Sequence, residues 1–184
     1  MNFKNSKDYT TMVMDIGSGY TKTGLVLDDY DCVVEPTIIG KGTGDELGNL
    51  SFGEAAFRRK EVIQTVNPIQ SKVTVNWPEL EQYYDFLFNT KLKMKPKNFS
   101  ILNSYNFDDT LAMKSKSIEM FFEKYEVPMF LAVNNLVLSI YGYGIRNGIV
   151  LDCGEHVSTA ACVFDGSVVP WSIVQSKIGG ADVT

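Results

Sequence analysis

Residues 12–19, Met12-Val13-Met14-Asp15-Ile16-Gly17-Ser18-Gly19, return without a gap as residues 149–156, Ile149-Val150-Leu151-Asp152-Cys153-Gly154-Glu155-His156. The spacing is 137 residues, Asp15 to Asp152. The similarity runs on: Thr21 faces Ser158, Val26 faces Val163, Leu27 faces Phe164 and Asp28 faces Asp165. Each copy reads as a hydrophobic strand, a tight polar turn, a second strand and a second turn. An Asp, one spacer and a Gly close the first strand in both copies.

Such a turn has specific chemistry. Gly lets the backbone approach a ligand and lets consecutive N–H groups point the same way. That concavity binds anions such as phosphate. An Asp at a strand end can hold a magnesium ion through its water shell. Lys22, on the strand after the first turn, adds a point charge. A single Asp-x-Gly-Ser-Gly is more often only a hairpin turn. Two copies in register, each ending a hydrophobic strand, outweigh that reading, and two facing copies would clamp the phosphates of one nucleotide.

Outward from the two loops, short β-branched runs alternate with helical patterns. Thr11–Gly17, Thr21–Leu27 and Cys32–Ile39 read as strands, the first two joined by Gly17-Ser18-Gly19 and the next two by an Asp28-Asp29 turn. Gly40–Leu50 carries four glycines and reads as a mobile loop. Gly53–Lys60 is a short helix. Asn76–Phe88 is a stronger one, capped by Asn76, with Pro78 in the first turn and Leu80, Tyr84, Leu87 and Phe88 on one face. Phe99–Ser104 is a buried strand. Asp108 caps a long helix reaching about Tyr125, with Leu111, Ile118, Phe121, Phe122 and Tyr125 near one stripe. Pro128–Val133 is a strand and Asn135–Tyr143 a helix ended by Gly144. Strands Gly148–Cys153, Ser158–Phe164 and Ser167–Val174 follow, the last two joined by an Asp165-Gly166 turn. The order is that of a mixed α/β protein.

Composition narrows the function. The chain has 184 residues, 17 Lys plus Arg, 22 Asp plus Glu and a net charge of −5, with 45% hydrophobic and 21% charged residues. Disorder and low-complexity classes are excluded. Roughly 70% of the unfolded surface of a chain this size can be buried, enough for one sizeable core or two small ones. The acidic balance argues against direct nucleic-acid binding. Cys32, Cys153 and Cys162 with the single His156 cannot build a zinc site and read as reduced, mostly buried thiols. Met1–Asp8 is polar, without a secretory apolar segment, and no window is apolar enough to span a membrane, so no membrane partner is expected. Trp77 and Trp171 read as packed.

At these residues the sequence resembles the actin family, within the larger group of actin-like ATPases. Asp15-Ile16-Gly17-Ser18-Gly19-Tyr20-Thr21-Lys22 is similar to the family's first phosphate loop, and Ile149–Val157 to the second. Glu35-Pro36-Thr37-Ile38-Ile39-Gly40, Phe52-Gly53-Glu54-Ala55, Asn67-Pro68-Ile69, Val75-Asn76-Trp77 and Val137-Leu138-Ser139-Ile140-Tyr141 resemble actin-specific stretches in order. The resemblance implies a partial actin-like ATPase fold, ribonuclease H-like, of α/β class. Residues 1–11 would be a tail and 12–144 the small domain, with a shortened loop at 40–51 and a hinge helix at about 135–143. Residues 145–184 would open the large domain, incomplete.

The resemblance also implies ATP or ADP with magnesium. Asp15 and Asp152 would hold the metal through water. Gly17, Ser18, Gly19 and Lys22 would hold the outer phosphates, opposed by Gly154, Glu155, His156 and Val157. In actin a glutamine on the hinge helix orients the attacking water. Asn135 stands there, with Asn134 beside it, and Asn is one methylene shorter. The family's second loop carries two small or acidic positions where this chain has Glu155 and the bulky His156. Ser71 stands where the family has a histidine near its phosphate-sensing loop. Loop 40–51 lacks the hydrophobic tip that a filament neighbour grips, so a conventional filament contact is not expected.

Three functions follow. The first is an actin-related, cytoskeletal-type subunit with magnesium-ATP loops, working structurally in a larger assembly of actin-family or other subunits. Hydrolysis would be weak or absent unless the missing half is supplied. The second is a docking module without nucleotide in a ciliary, dynactin-like or chromatin complex. The third, a sugar-kinase-type phosphotransferase, ranks lowest because no substrate-side base is identifiable. The cytoplasmic cytoskeleton is the expected location, the nucleus the alternative. Strands Gly148–Val174 would expose an apolar face that helices normally cover.

Overall fold

The computed structural model describes residues 9–26, 32–42, 44, 48–71 and 74–183. The Asp28-Asp29 turn, Leu27, most of the centre of loop 40–51 and the Ser71 side chain fall outside the described residues.

β1 (Thr10–Ile16), β2 (Tyr20–Leu25) and β3 (Val33–Pro36) run antiparallel. Met12 and Met14 alternate inward from β1 and are buried, as the two-residue period of a strand requires. The expected strand Cys32–Ile39 is broken at Thr37. This residue turns inward, and its hydroxyl bonds that of Thr21 at 2.9 Å. The chain then leaves the sheet as β4 (Ile39–Lys41), which pairs with β5 (Leu50–Phe52) and β6 (Gln64–Val66). The described ends of the Gly40–Leu50 stretch, Gly40–Lys41 and Leu50, therefore lie in paired strands. The Gly42 N–H donates to the Asn49 carbonyl at 2.9 Å. A Cβ on Gly40 would lie 2.4 Å from Ile63 Cδ1 and 2.5 Å from Ser51 Oγ, so a larger residue there would displace both side chains.

α1 is shorter than expected, Gly53–Phe57. The hairpin β7 (Ile69–Ser71) and β8 (Thr74–Val75) leads into α2 (Trp77–Phe86). Asn76 caps α2 by accepting from the Glu79 N–H, and Leu80, Tyr84, Leu87 and Phe88 are buried as expected. After Phe86 the helix widens to π geometry over Leu87–Leu92.

β9 (Phe99–Tyr105) and β10 (Met129–Asn134) complete the sheet in the order β10-β9-β1-β2-β3, with β9 parallel to β1. Between them lies α3 (Leu111–Glu119), continued by π geometry over Met120–Lys124. Its cap is Thr110, not Asp108: the Thr110 hydroxyl accepts from the Met113 N–H at 3.2 Å. Only part of the expected stripe packs. Phe121 and Tyr125 are buried, while Leu111, Ile118 and Phe122 are exposed. Phe121 stacks on Phe130 at 4.9 Å and meets Tyr84 edge-on at 5.3 Å, which binds the α3 segment to both sheet and α2.

α4 (Asn135–Gly142) leads from β10 to a second sheet. That sheet joins β11 (Gly148–Cys153), β12 (Ser158–Phe164) and β13 (Ser167–Val168), with β14 (Val174–Ser176) also on β12. The expected single strand Ser167–Val174 is interrupted at Pro170, which has no N–H to offer a ladder. Asp165 and Gly166 both have positive φ, the turn their sequence predicts. Leu136, Val137 and Ile140 of α4 pack on Val150, Ala161 and Val163, a second core apart from the first. Two thiols differ from expectation: Cys32 and Cys153 are exposed. So is Trp171. Among the described residues no helix is long and apolar enough to cross a membrane.

Candidate functional site

The sequence repeat survives as geometry. β1 and β2 pair Asp15 with Lys22 and Ile16 with Thr21. β11 and β12 pair Asp152 with Thr159 and Cys153 with Ser158, the equivalent positions. The turns close alike. The Gly17 N–H donates to the Tyr20 carbonyl at 3.1 Å, and the Gly154 N–H to the Val157 carbonyl at 3.0 Å. A Cβ on Gly17 would lie 2.9 Å from the Tyr20 oxygen, so the closed turn needs glycine there.

The two turns border one cleft of ≈ 780 Å³ between the sheets. It is lined by Asp15, Gly17, Ser18, Gly19 and Lys22 from the first loop, Asp152, Gly154, Glu155, His156 and Val157 from the second, and Asn135 from α4, all singled out from the sequence. Asn134 does not join them. Its side chain is buried and accepts from the Leu136 N–H at 3.0 Å, capping α4.

Each strand-end carboxylate is held by a neighbour. The Ser104 hydroxyl, at the end of β9, donates to Asp15 Oδ1. The Asn135 amide donates to Asp152 Oδ2 at 3.0 Å and to Asn106 Oδ1 at 3.3 Å. Lys22 Nζ lies 3.6 Å from Asp15 Oδ2. The Asn67 amide donates to the Ser18 carbonyl while its own oxygen accepts from the Ile69 N–H at 2.8 Å, bracing the first turn from behind. Sequence reasoning did not single out Ser104, Asn106, Asp109 or Ser139 as cleft residues. The parallel pairing of β9 with β1 could have found Ser104, since the C-terminal ends of parallel strands form such crevices.

The cleft is acidic. Asp15, Asp109, Asp152 and Glu155 line it against Lys22. Burial holds the Asp109 carboxyl above its ordinary value, and Asp108 adds to that, outweighing the Asn106 N–H that donates to it. Among the described residues no group of three or more His, Cys, Asp or Glu side chains forms a direct metal cage.

A family model described as Actin matches residues 6–184. The chain belongs to the actin family. Actin-related protein 2 of Acanthamoeba castellanii is 26% identical over 181 residues, covering 94% of this chain and 47% of that protein. The chain thus spans about half the length of the curated relative it matches. The mixed five-stranded sheet, its covering helices and the second sheet are a partial actin-like ATPase fold. In this member of the actin family, the facing turns stand where the sequence repeat predicts them.

Proposed function

We propose that the chain is an actin-related subunit that holds a magnesium nucleotide between its two loops and acts structurally in an assembly with other actin-family subunits, in the cytoplasmic cytoskeleton or the nucleus. The supporting observation is the pair of identically closed turns, each behind a strand-end Asp, on one cleft. With the Gly17 and Gly154 N–H groups closing the turns, the backbone N–H groups of Ser18 and Gly19 and of Glu155–Val157 would receive phosphate oxygens, with Lys22 adding charge. The acid excess would repel a bare polyphosphate, so the nucleotide must arrive with a divalent cation. Asp15 and Asp152 suit that ion through its water shell, since among the described residues no three carboxylates converge for direct ligation. Asn135 would be the water-orienting residue, but its amide is engaged by Asp152 and Asn106, so its reach into the cleft would be short. On this reading residues 12–144 are the small domain, and 145–184 the opening of the large one.

The test is a thermal melt of the chain with Mg-ATP and with ATP plus EDTA. At 100 times Kd the bound form should gain about 2.7 kcal/mol, several degrees at this size. A shift with Mg-ATP alone supports the reading, and a cooperative melt that ignores Mg-ATP removes it. The second reading, a docking module without nucleotide, is favoured by Ile149, Leu151, Phe164 and Val174, each at least 67% exposed. It would be supported by that indifferent melt.

A further inference from the structure

We propose that the Glu155 carboxylate occupies the phosphate end of the cleft and competes with a nucleotide phosphate for the first loop, so that Glu155 sets nucleotide affinity; this rests on the nucleotide reading above. In the repeat Glu155 is the counterpart of Ser18, and a long acid replaces a small hydroxyl. Its backbone is pinned from behind. The Glu155 carbonyl accepts from the Ala181 N–H, and the Gly154 carbonyl from the Gly180 N–H, both at 2.9 Å. A Cβ on Gly179 would lie 2.3 Å from the Glu155 oxygen, so no side chain fits between them.

Pinned there, the side chain projects across to the first turn. A Cβ on Gly19 would lie 2.7 Å from Glu155 Oε2 and 3.2 Å from its Cβ. The carboxylate therefore rests on the glycine whose bareness would let a phosphate approach. It brings negative charge to a wall already carrying Asp15 and Asp152, while Lys22 is paired with Asp15. A carboxylate and a phosphate cannot share one small concavity without mutual repulsion. A glutamate has free rotamers, so it can swing aside at a cost. The result is weakened binding, not a sealed site.

Isothermal titration of the chain with Mg-ATP and with Mg-pyrophosphate, beside E155A and E155Q, tests this. Both variants should bind each ligand about tenfold more tightly, a difference of about 1.4 kcal/mol. Weaker binding by both would mean that the carboxylate supports the bound metal, and overturns the proposal. Equal binding by all three proteins overturns it while leaving the nucleotide reading standing. Absence of binding in all three removes both. A second measurement needs no ligand. Gly19→Ala should lower the Tm of the wild-type chain and cost measurably less in the E155A background. An equal cost in both backgrounds means that Glu155 does not rest on Gly19, and overturns the proposal.

Discussion

On the reading proposed above, Asn135 stands at the water-orienting position, and any nucleotide hydrolysis by the chain would test it. Its amide is 3.0 Å from Asp152 Oδ2, against the wall and not out in the cleft. Asn135→Gln extends the amide by about 1.5 Å, one C–C bond. Single-turnover phosphate release should rise about tenfold or more, within the range of a positioned water-orienting group. An unchanged rate would show that this residue does not orient water. Asp109 gives a second prediction. Its folded carboxyl holds a proton more tightly than the unfolded one. The folded state therefore binds more protons between the two values, and this group lowers stability as pH rises through them. Asp109→Asn should melt higher than wild type at pH 7, and the gap should close as pH falls towards the ordinary value of 3.8. A gap that persists there would assign the gain to something other than charge. Asp15, Asp152 and the turn glycines were legible because strand-end turns are local chemistry. Ser104 was not, because it meets Asp15 from 89 positions away through a parallel strand pairing.

Elements differ in how far their own sequence decides them. α2 was readable because cap, proline and apolar face lie within about three turns and agree. At the start of α3, Asp108 and Thr110 both offer an acceptor in the sequence, and only Thr110 sits where the Met113 N–H points. Thr110→Ala should destabilise by about 1 kcal/mol, read from urea midpoints at constant m. Asp108→Ala should leave that cap intact. The α3 segment is anchored less by its α-helical part, which has no buried residue, than by the π turn that follows. Phe121 in that turn is fully buried between Phe130 and Tyr84. Phe121→Ala should therefore cost about 3–5 kcal/mol, far more than Ile118→Ala on the exposed side. Equal costs would show that the π turn does not carry the packing. β6, β7 and β8 escaped the sequence reading because two- and three-residue strands have no period to detect.

At the scale of the molecule the two repeats share a hairpin but not its surroundings. β1 has β9 along its other edge and a packed aromatic cluster against the sheet. β11 is the edge of its sheet among the described residues, and only one face of that sheet is covered, by α4. Val150 points to α4 and is buried, while Ile149 and Leu151 point the other way at 79% and 70% exposure. Phe164 of β12 and Val174 of β14 are exposed as well. Alternation along β11 thus puts apolar side chains on both faces, the pattern of a strand meant to be covered twice. The isolated chain should bind a dye such as ANS through this face. Ile149→Thr with Leu151→Thr should reduce that fluorescence several-fold. It should move stability by no more than about 0.5 kcal/mol, since threonine keeps β preference and the removed atoms contact solvent. A large loss of stability with unchanged dye binding would mean that these side chains are packed and that the apolar face lies elsewhere.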